Sequence, residues 1–290
     1  MEMSYILENP TKSTGKVYLY PDGSMDIVAS SSAIFSDKSS AASSGRKRSN
    51  DDNNDSAEKK QRDGKAEDLE RAKRRARAMV RRIALASGFD YFVTLTFDPK
   101  RVDSLDPAAV VRAMSTWCDN NVRRRGLKYI LVPELHKSGR VHFHGFFNDA
   151  LPREDSGTIK MPGEKKPRKP RTKKQRAEMM AAGGQVVWNL PNWTYGFTTA
   201  LELHGPYPAA VAYVCKYIGK DHVKIAGRWY YSGGDVQKPV EKLCSIEQTE
   251  LRDFDGHWEK LIPGSIVCGI NGVRPETFST DEHGLISLEP

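Results

Sequence analysis

The stretch YILVPELHKSGRVHFHGFF, Tyr129 to Phe147, constrains the fold more than any other part of this chain. Tyr129 to Val132 is apolar and β-branched or aromatic, Lys137-Ser138-Gly139-Arg140 is turn chemistry, and Val141 to Phe147 is a second extended run. Together they read as a β-hairpin. Side chains alternate across a strand, so His142 and His144 share one face while Phe143 takes the other. Two imidazoles can then meet one cation as the phenyl ring anchors the strand to a core; ordinary strand histidines are the alternative. Glu134 favours the metal reading, because two histidines and a carboxylate with open positions suit a divalent ion, Mg2+ or Mn2+, serving phosphate chemistry. Register decides whether the carboxylate can join. A two-residue Ser138-Gly139 turn pairs Glu134 with Phe143, on the wrong face. An odd-numbered loop centred near Gly139 pairs Glu134 with His144 and unites all three. Gly139 can take the positive φ that such a loop needs.

With 290 residues, 38% hydrophobic and 28% charged, the chain has room for one core domain and less well packed extensions. Residues 1–65 read as an N-terminal extension. In it Lys16 to Tyr20 and Met25 to Ala29 flank the turn Pro21-Asp22-Gly23-Ser24 as a small hairpin, and Ser30 to Asp63 has the composition of a disordered linker. Residues 66–240 are expected to form the main domain, with a basic insertion over 149–184, and residues 241–290 a tail or small lobe. A formal charge of +8 permits a polyanionic partner. Cys118, Cys215, Cys244 and Cys268 form no C-x-x-C pair and no disulfide framework, which points to a reducing cytoplasm, the host cell's if the chain is viral. No long apolar run suggests a membrane span, and no export signal opens the chain, so a soluble protein is expected.

Ala66 to Ser87 has helical spacing in Leu69, Ala72, Ala76, Val80 and Ile83, with Gly88 at the end. Its other face is arginine. Arg74, Arg77 and Arg81 are candidates for nucleic-acid backbone contact, since so dense a run of one sign repels itself unless an anion lies nearby. Tyr91 to Phe97 is a central strand. Asp106-Pro107 opens a helix with Val110, Val111, Met114, Trp117, Cys118 and Val122 buried. The insertion carries Lys165, Lys166, Arg168, Lys169 and Arg171 among prolines, and reads as a mobile basic arm that buries no core and tracks a nucleic-acid backbone. Val186 to Trp188 and Trp193 to Leu203 resume the sheet. The fold class is α+β, a central antiparallel sheet with flanking helices and a disordered N-terminal extension.

Pro208 to Lys220, PAAVAYVCKYIGK, reads as a short helix with Val211, Val214 and Ile218 inward. Tyr213 and Tyr217 lie four apart on one face, and Lys216 and Lys220 each follow a tyrosine by three. Alone, the pattern is amphipathic decoration. Beside a metal hairpin it supplies a nucleophile, because a phenol with its ordinary pKa of about 10 needs a nearby cation and lysine to attack a phosphate.

FVTLTFDP at Phe92 to Pro99, the ELHKSGRVHFHGFF hairpin, and YVCKYIGK at Tyr213 to Lys220 resemble, in order and spacing, the three motifs of HUH-type rolling-circle replication initiators. The doubled tyrosine resembles the form found in initiators of single-stranded DNA phages, and the resemblance covers roughly Ala66 to Pro239. It implies an endonuclease that nicks single-stranded DNA or an origin hairpin, keeps a 5′-phosphotyrosyl link with a free 3′-OH, and later rejoins the strand to close a circle. Tyr213, Tyr217, Lys216 and Lys220 would be catalytic, and His142, His144 and Glu134 would hold the metal. A relaxase or single-strand transposase would share this chemistry, and a non-catalytic single-strand-binding protein would need only the basic arm and aromatics. A cupin-type metalloenzyme places its carboxylate downstream of His-x-His, where this chain has Asn148 and Asp149. No G-x-x-x-x-G-K-[ST] loop occurs, so a host helicase and polymerase are expected partners.

Overall fold

The computed structural model describes residues 4–6, 12–22, 25–35, 54–204, 207–218, 224–244, 257–259, 265–270, 278–280 and 285–288. In chain order the elements are β1 (Ser4–Ile6), β2 (Lys12–Leu19), β3 (Met25–Phe35), α1 (Asn54–Ser87), β4 (Tyr91–Phe97), α2 (Pro107–Arg125), β5 (Tyr129–Leu135) and β6 (Val141–Phe147). There follow β7 (Glu154–Lys160), α3 (Lys173–Ala181), β8 (Gln185–Asn189), β9 (Gly196–Glu202), α4 (Tyr207–Cys215), β10 (Tyr231–Gly233), β11 (Val240–Cys244), β12 (His257–Glu259), β13 (Ser265–Ile270), β14 (Phe278–Thr280) and β15 (Leu285–Leu288). The chain divides into two units, one of Met1–Arg75 with Pro239–Pro290, the other of Ala76–Lys238.

In the first unit the two ends of the chain share sheets. β2 and β3 form the N-terminal hairpin, and it stands inside a five-stranded sheet of order β11-β2-β3-β13-β12. β1 pairs with β15 in a second, three-stranded sheet. Because a two-stranded hairpin is marginal in water, recruitment of C-terminal strands supplies the neighbours it needs. Of the linker expected over Ser30 to Asp63, residues 30–35 extend β3 and 54–63 extend α1, while 36–53 lie outside the described residues. The earlier start of α1 follows from Ala57-Glu58-Lys59-Lys60-Gln61, all strong helix formers.

The second unit is built on a seven-stranded antiparallel sheet of order β10-β5-β6-β4-β9-β8-β7. One face of β4 is fully covered: Tyr91, Val93, Leu95 and Phe97 are buried, with Phe92, Thr94 and Thr96 between them only half-buried. Against that covered face packs α2, through Val110, Met114, Trp117 and Cys118. The sequence marks this helix clearly. Asp106 caps it by accepting from the Ala108 amide at 2.8 Å, Pro107 opens its first turn, and Gly126 ends it with φ +69°. Burial raises the Cys118 thiol well above its ordinary pKa, as expected of a structural cysteine.

The basic insertion departs from the expected free arm. Its first part is strand β7, which pairs with β8 and buries Ile159 completely, and its second is helix α3, capped by the Thr172 hydroxyl. Hydrophilic composition hid the strand, since only one large apolar residue in Glu154–Lys160 points into the core. Among the described residues, no helix is long and apolar enough to cross a membrane.

Candidate active site

The uncovered face of the sheet collects the polar residues of β4, β5, β6 and β9. Register aligns Phe197, Thr96, His142 and Glu134 in one row across β9, β4, β6 and β5. The next row is Thr199, Thr94, His144 and Val132. Alternation along each strand puts both rows on the same side.

The hairpin keeps the expected parity with a different register. Glu134 lies opposite His142, not His144, and the loop between Leu135 and Val141 is centred on Ser138. His136 sets this turn: its amide donates to the Arg140 carbonyl at 2.8 Å, its carbonyl accepts from the Gly139 amide at 2.8 Å, and its Nδ1 lies 3.1 Å from the Ser138 hydroxyl. Gly139 takes φ +79°, where a β-carbon would be strained. A slide of two residues preserves faces. Glu134 therefore still reaches His144, with Oε2 at 2.8 Å from Nε2.

Each histidine is also held from β4. Thr94 Oγ1 lies 3.1 Å from His144 Nδ1, and Thr96 Oγ1 lies 3.4 Å from His142 Nδ1. Both threonines thus engage Nδ1 and leave Nε2 as the ring atom aimed at Glu134 or at a ligand. An ionised carboxylate only accepts, so Nε2 of His144 carries the hydrogen in its bond to Glu134; in the neutral ring Nδ1 then accepts from Thr94. A threonine hydroxyl can equally accept, so the same pair can present a bare Nε2 to a metal. Burial first, then the neighbouring His136 and His144, hold His142 below its ordinary imidazole pKa and so in the neutral form a metal needs. The donor chemistry fits a divalent ion. Among the described residues, however, no group of three or more His, Cys, Asp or Glu side chains is arranged to hold one: Glu134 is hydrogen-bonded to His144, and the His142 ring stacks on His136 at 5.3 Å.

The tyrosines come to this same face. α4 ends at Cys215, earlier than the expected Lys220, and residues 216–218 continue in tighter turns, with the Tyr217 amide donating to Val214 at 3.0 Å. Tyr217 stacks on His144 at 4.2 Å and 13°. Tyr213 meets Phe92 edge-on at 5.7 Å. The Tyr217 hydroxyl donates to that of Tyr213 at 2.7 Å, so the two phenols converge at one point. Burial, then the bond to Tyr213, then the charge of Glu134 raise the Tyr217 pKa far above that of a free phenol. Lys216 is exposed, and Lys220 lies outside the described residues.

The basic candidates divide. Arg77 is half-buried and donates to the Ile218 carbonyl at 3.0 Å, and its own carbonyl receives the Cys215 thiol, so it anchors the tyrosine turn to α1. Arg74 and Arg81 are half-buried as well, so this face of α1 is less open than the sequence suggested. Lys165, Lys166, Arg168, Lys169 and Arg171 are all exposed, on a tract pinned by mutual Ile159 and Arg168 backbone bonds of 2.8 Å and by an Arg168–Glu164 ion pair. Thr94, Thr96, His136 and Phe197 were not singled out from sequence. The alternation in FVTLTF carries a signal for the threonines, but only cross-strand register shows that they meet the histidines.

No curated protein and no solved structure matches the chain. A family model does match, over residues 90–222, which hold the hairpin and both tyrosines. There the chain is similar to the family described as Replication-associated protein ORF2, which supports its placement among HUH-type replication initiators and a general role in starting replication.

Proposed function

We propose that this chain is a replication initiation endonuclease of the two-tyrosine type, which nicks single-stranded DNA through Tyr213 or Tyr217 and rejoins it. The observation that carries this reading is the packing of Tyr217 on His144 at 4.2 Å with its hydroxyl 2.7 Å from that of Tyr213: two nucleophile candidates and a His/carboxylate set share one spot.

His142, His144 and Glu134 would hold a divalent cation, which when bound neutralises charge on the scissile phosphate. The chain's own groups do the rest. Thr94 and Thr96 fix the imidazole orientations from β4. Tyr213 accepts the Tyr217 hydrogen bond and so orients that hydroxyl, while a 48% exposed ring leaves Tyr213 itself open to a strand. In the reaction a phenol oxygen bonds to phosphorus as the bond to the 3′ oxygen breaks. The phenolic proton leaves, the 3′ oxygen takes up a proton, and the product is a 5′-phosphotyrosine with a free 3′-OH. Reversal by a 3′-OH restores the chain, and the second tyrosine allows a new cut before the first link is resolved. Lys216, exposed on the turn between the phenols, is placed to favour the phenolate by its charge.

Labelled circular single-stranded DNA, incubated with the protein and Mn2+, should give a covalent protein–DNA band that survives denaturation. His142→Ala and His144→Ala should give none. A covalent band unaffected by either substitution would remove the histidines from the site.

A further inference from the structure

Phe197 is the most exposed large apolar side chain among the described residues, at 73%, yet it lies on a strand inside the sheet and not on a loop. A single exposed phenylalanine is ordinary on a protein surface. Its position is not. Thr96 pairs with Phe197 on one side and His142 on the other, so the ring belongs to the row that runs through Thr96 and His142 to Glu134. Two strand spacings, about 10 Å, separate it from His142 on the same face. Thr198 and Ala200, which point the other way from β9, are buried, so the strand is seated while this ring stays out.

The backbone beneath the ring is held tightly. At Gly196 a β-carbon would come 2.3 Å from the Thr96 carbonyl oxygen and 2.6 Å from the Asp98 nitrogen, so only glycine permits this approach to β4. The Asp98 amide donates to the Tyr195 carbonyl at 2.8 Å, and Trp193 Nε1 donates to the Thr96 carbonyl at 3.1 Å. Exposed Lys100 and Arg101 follow β4 in the adjoining turn, and they add positive charge where a phosphate backbone would pass. A rigid, solvent-facing aromatic ring beside cations is what an unpaired nucleobase stacks on.

We infer that Phe197 is a stacking platform for a base of the single strand bound at the hairpin site, an inference that rests on the nicking role proposed above. The stack would fix the strand near the phosphate to be cut. It is tolerant of base identity, because every base has a π face.

The test uses the full chain and two fluorescent probes of equal charge, dT20 and a wholly abasic 20-mer. Wild type should prefer dT20. Phe197→Ala should weaken dT20 binding about 5- to 100-fold while leaving the abasic probe unchanged; Phe197→Leu, which keeps apolar bulk without an aromatic face, should behave like alanine, and Phe197→Trp should restore the preference. Alanine and leucine variants that keep the wild-type preference for dT20 would overturn the platform. The covalent-band assay on wild type separates the two readings: a band with the preference intact in Phe197→Ala sinks the platform alone, and no band with the preference lost sinks nicking alone.

Discussion

The two faces of the seven-stranded sheet are made by the same strands and have opposite characters. On one, Val93, Leu95 and Phe143 are fully buried against the α2 side. On the other, the residues between them, Thr94, Thr96, His142 and His144, stay half-buried and hydrogen-bond to one another. Strand parity assigns stability to one set and chemistry to the other, so neighbours in sequence should respond differently to substitution. Phe143→Ala should cost about 3–5 kcal/mol of stability by opening the core. His144→Ala should cost only about 1 kcal/mol and remove adduct formation altogether. Denaturant melts beside a covalent-band assay measure both, and a stability loss as large for His144→Ala as for Phe143→Ala would erase the division.

The threonines sharpen the same contrast on the chemical face. Thr94→Val and Thr96→Val keep shape and remove the hydroxyl at His Nδ1. Calorimetric Mn2+ titration should show metal affinity falling about 10- to 100-fold, with serine restoring it in each case. Affinity unchanged in both valine variants would make the contacts incidental.

Much of this arrangement is legible in the sequence, because period-two alternation and capping are local signals. Tyr91 to Phe97, the His-x-His strand and the Asp106-Pro107 helix start all carry them. What the sequence hid is non-local or side-chain-driven. The hairpin register slid by two residues because His136 shapes the turn, and a slide of two leaves faces intact, so the three-residue set survived an error in its pairing. The pairing of β3 with β13 joins residues from opposite ends of the chain, with no local trace in either segment. Strand β7 was missed for the opposite reason: its composition is polar, and its support comes from β8. Phe197 is visible only as a rung partner of Thr96.

A smaller effect is expected at the β7–α3 tract, which lies at the sheet edge opposite β10. Neutralising Lys165, Lys166, Arg168, Lys169 and Arg171 to Gln should flatten the salt dependence of single-strand binding by about 0.7 log units per lost phosphate contact. An unchanged slope would reduce the tract to a solvated surface. The smallest effect concerns acid. His142 is held below its ordinary pKa, so the fold favours its neutral form. That contribution is present above about pH 6.5 and is lost as pH falls through the lowered native value. His142→Gln should therefore lose less stability than wild type between pH 7 and pH 5, as thermal melts would show; parallel curves would place the acid sensitivity elsewhere.

The central claim is that the phenols over His144 are the nucleophiles, and peptide mapping of the covalent DNA adduct tests it most directly. Wild type should carry the DNA on Tyr213 or Tyr217, each single Tyr→Phe variant should carry it on the remaining tyrosine, and the double variant should carry none. Single variants should also fail to release closed circles. An adduct on any other residue, or one retained in the double variant, would contradict the account; one single variant dead for adduct beside another that closes circles normally would reduce the pair to a single nucleophile.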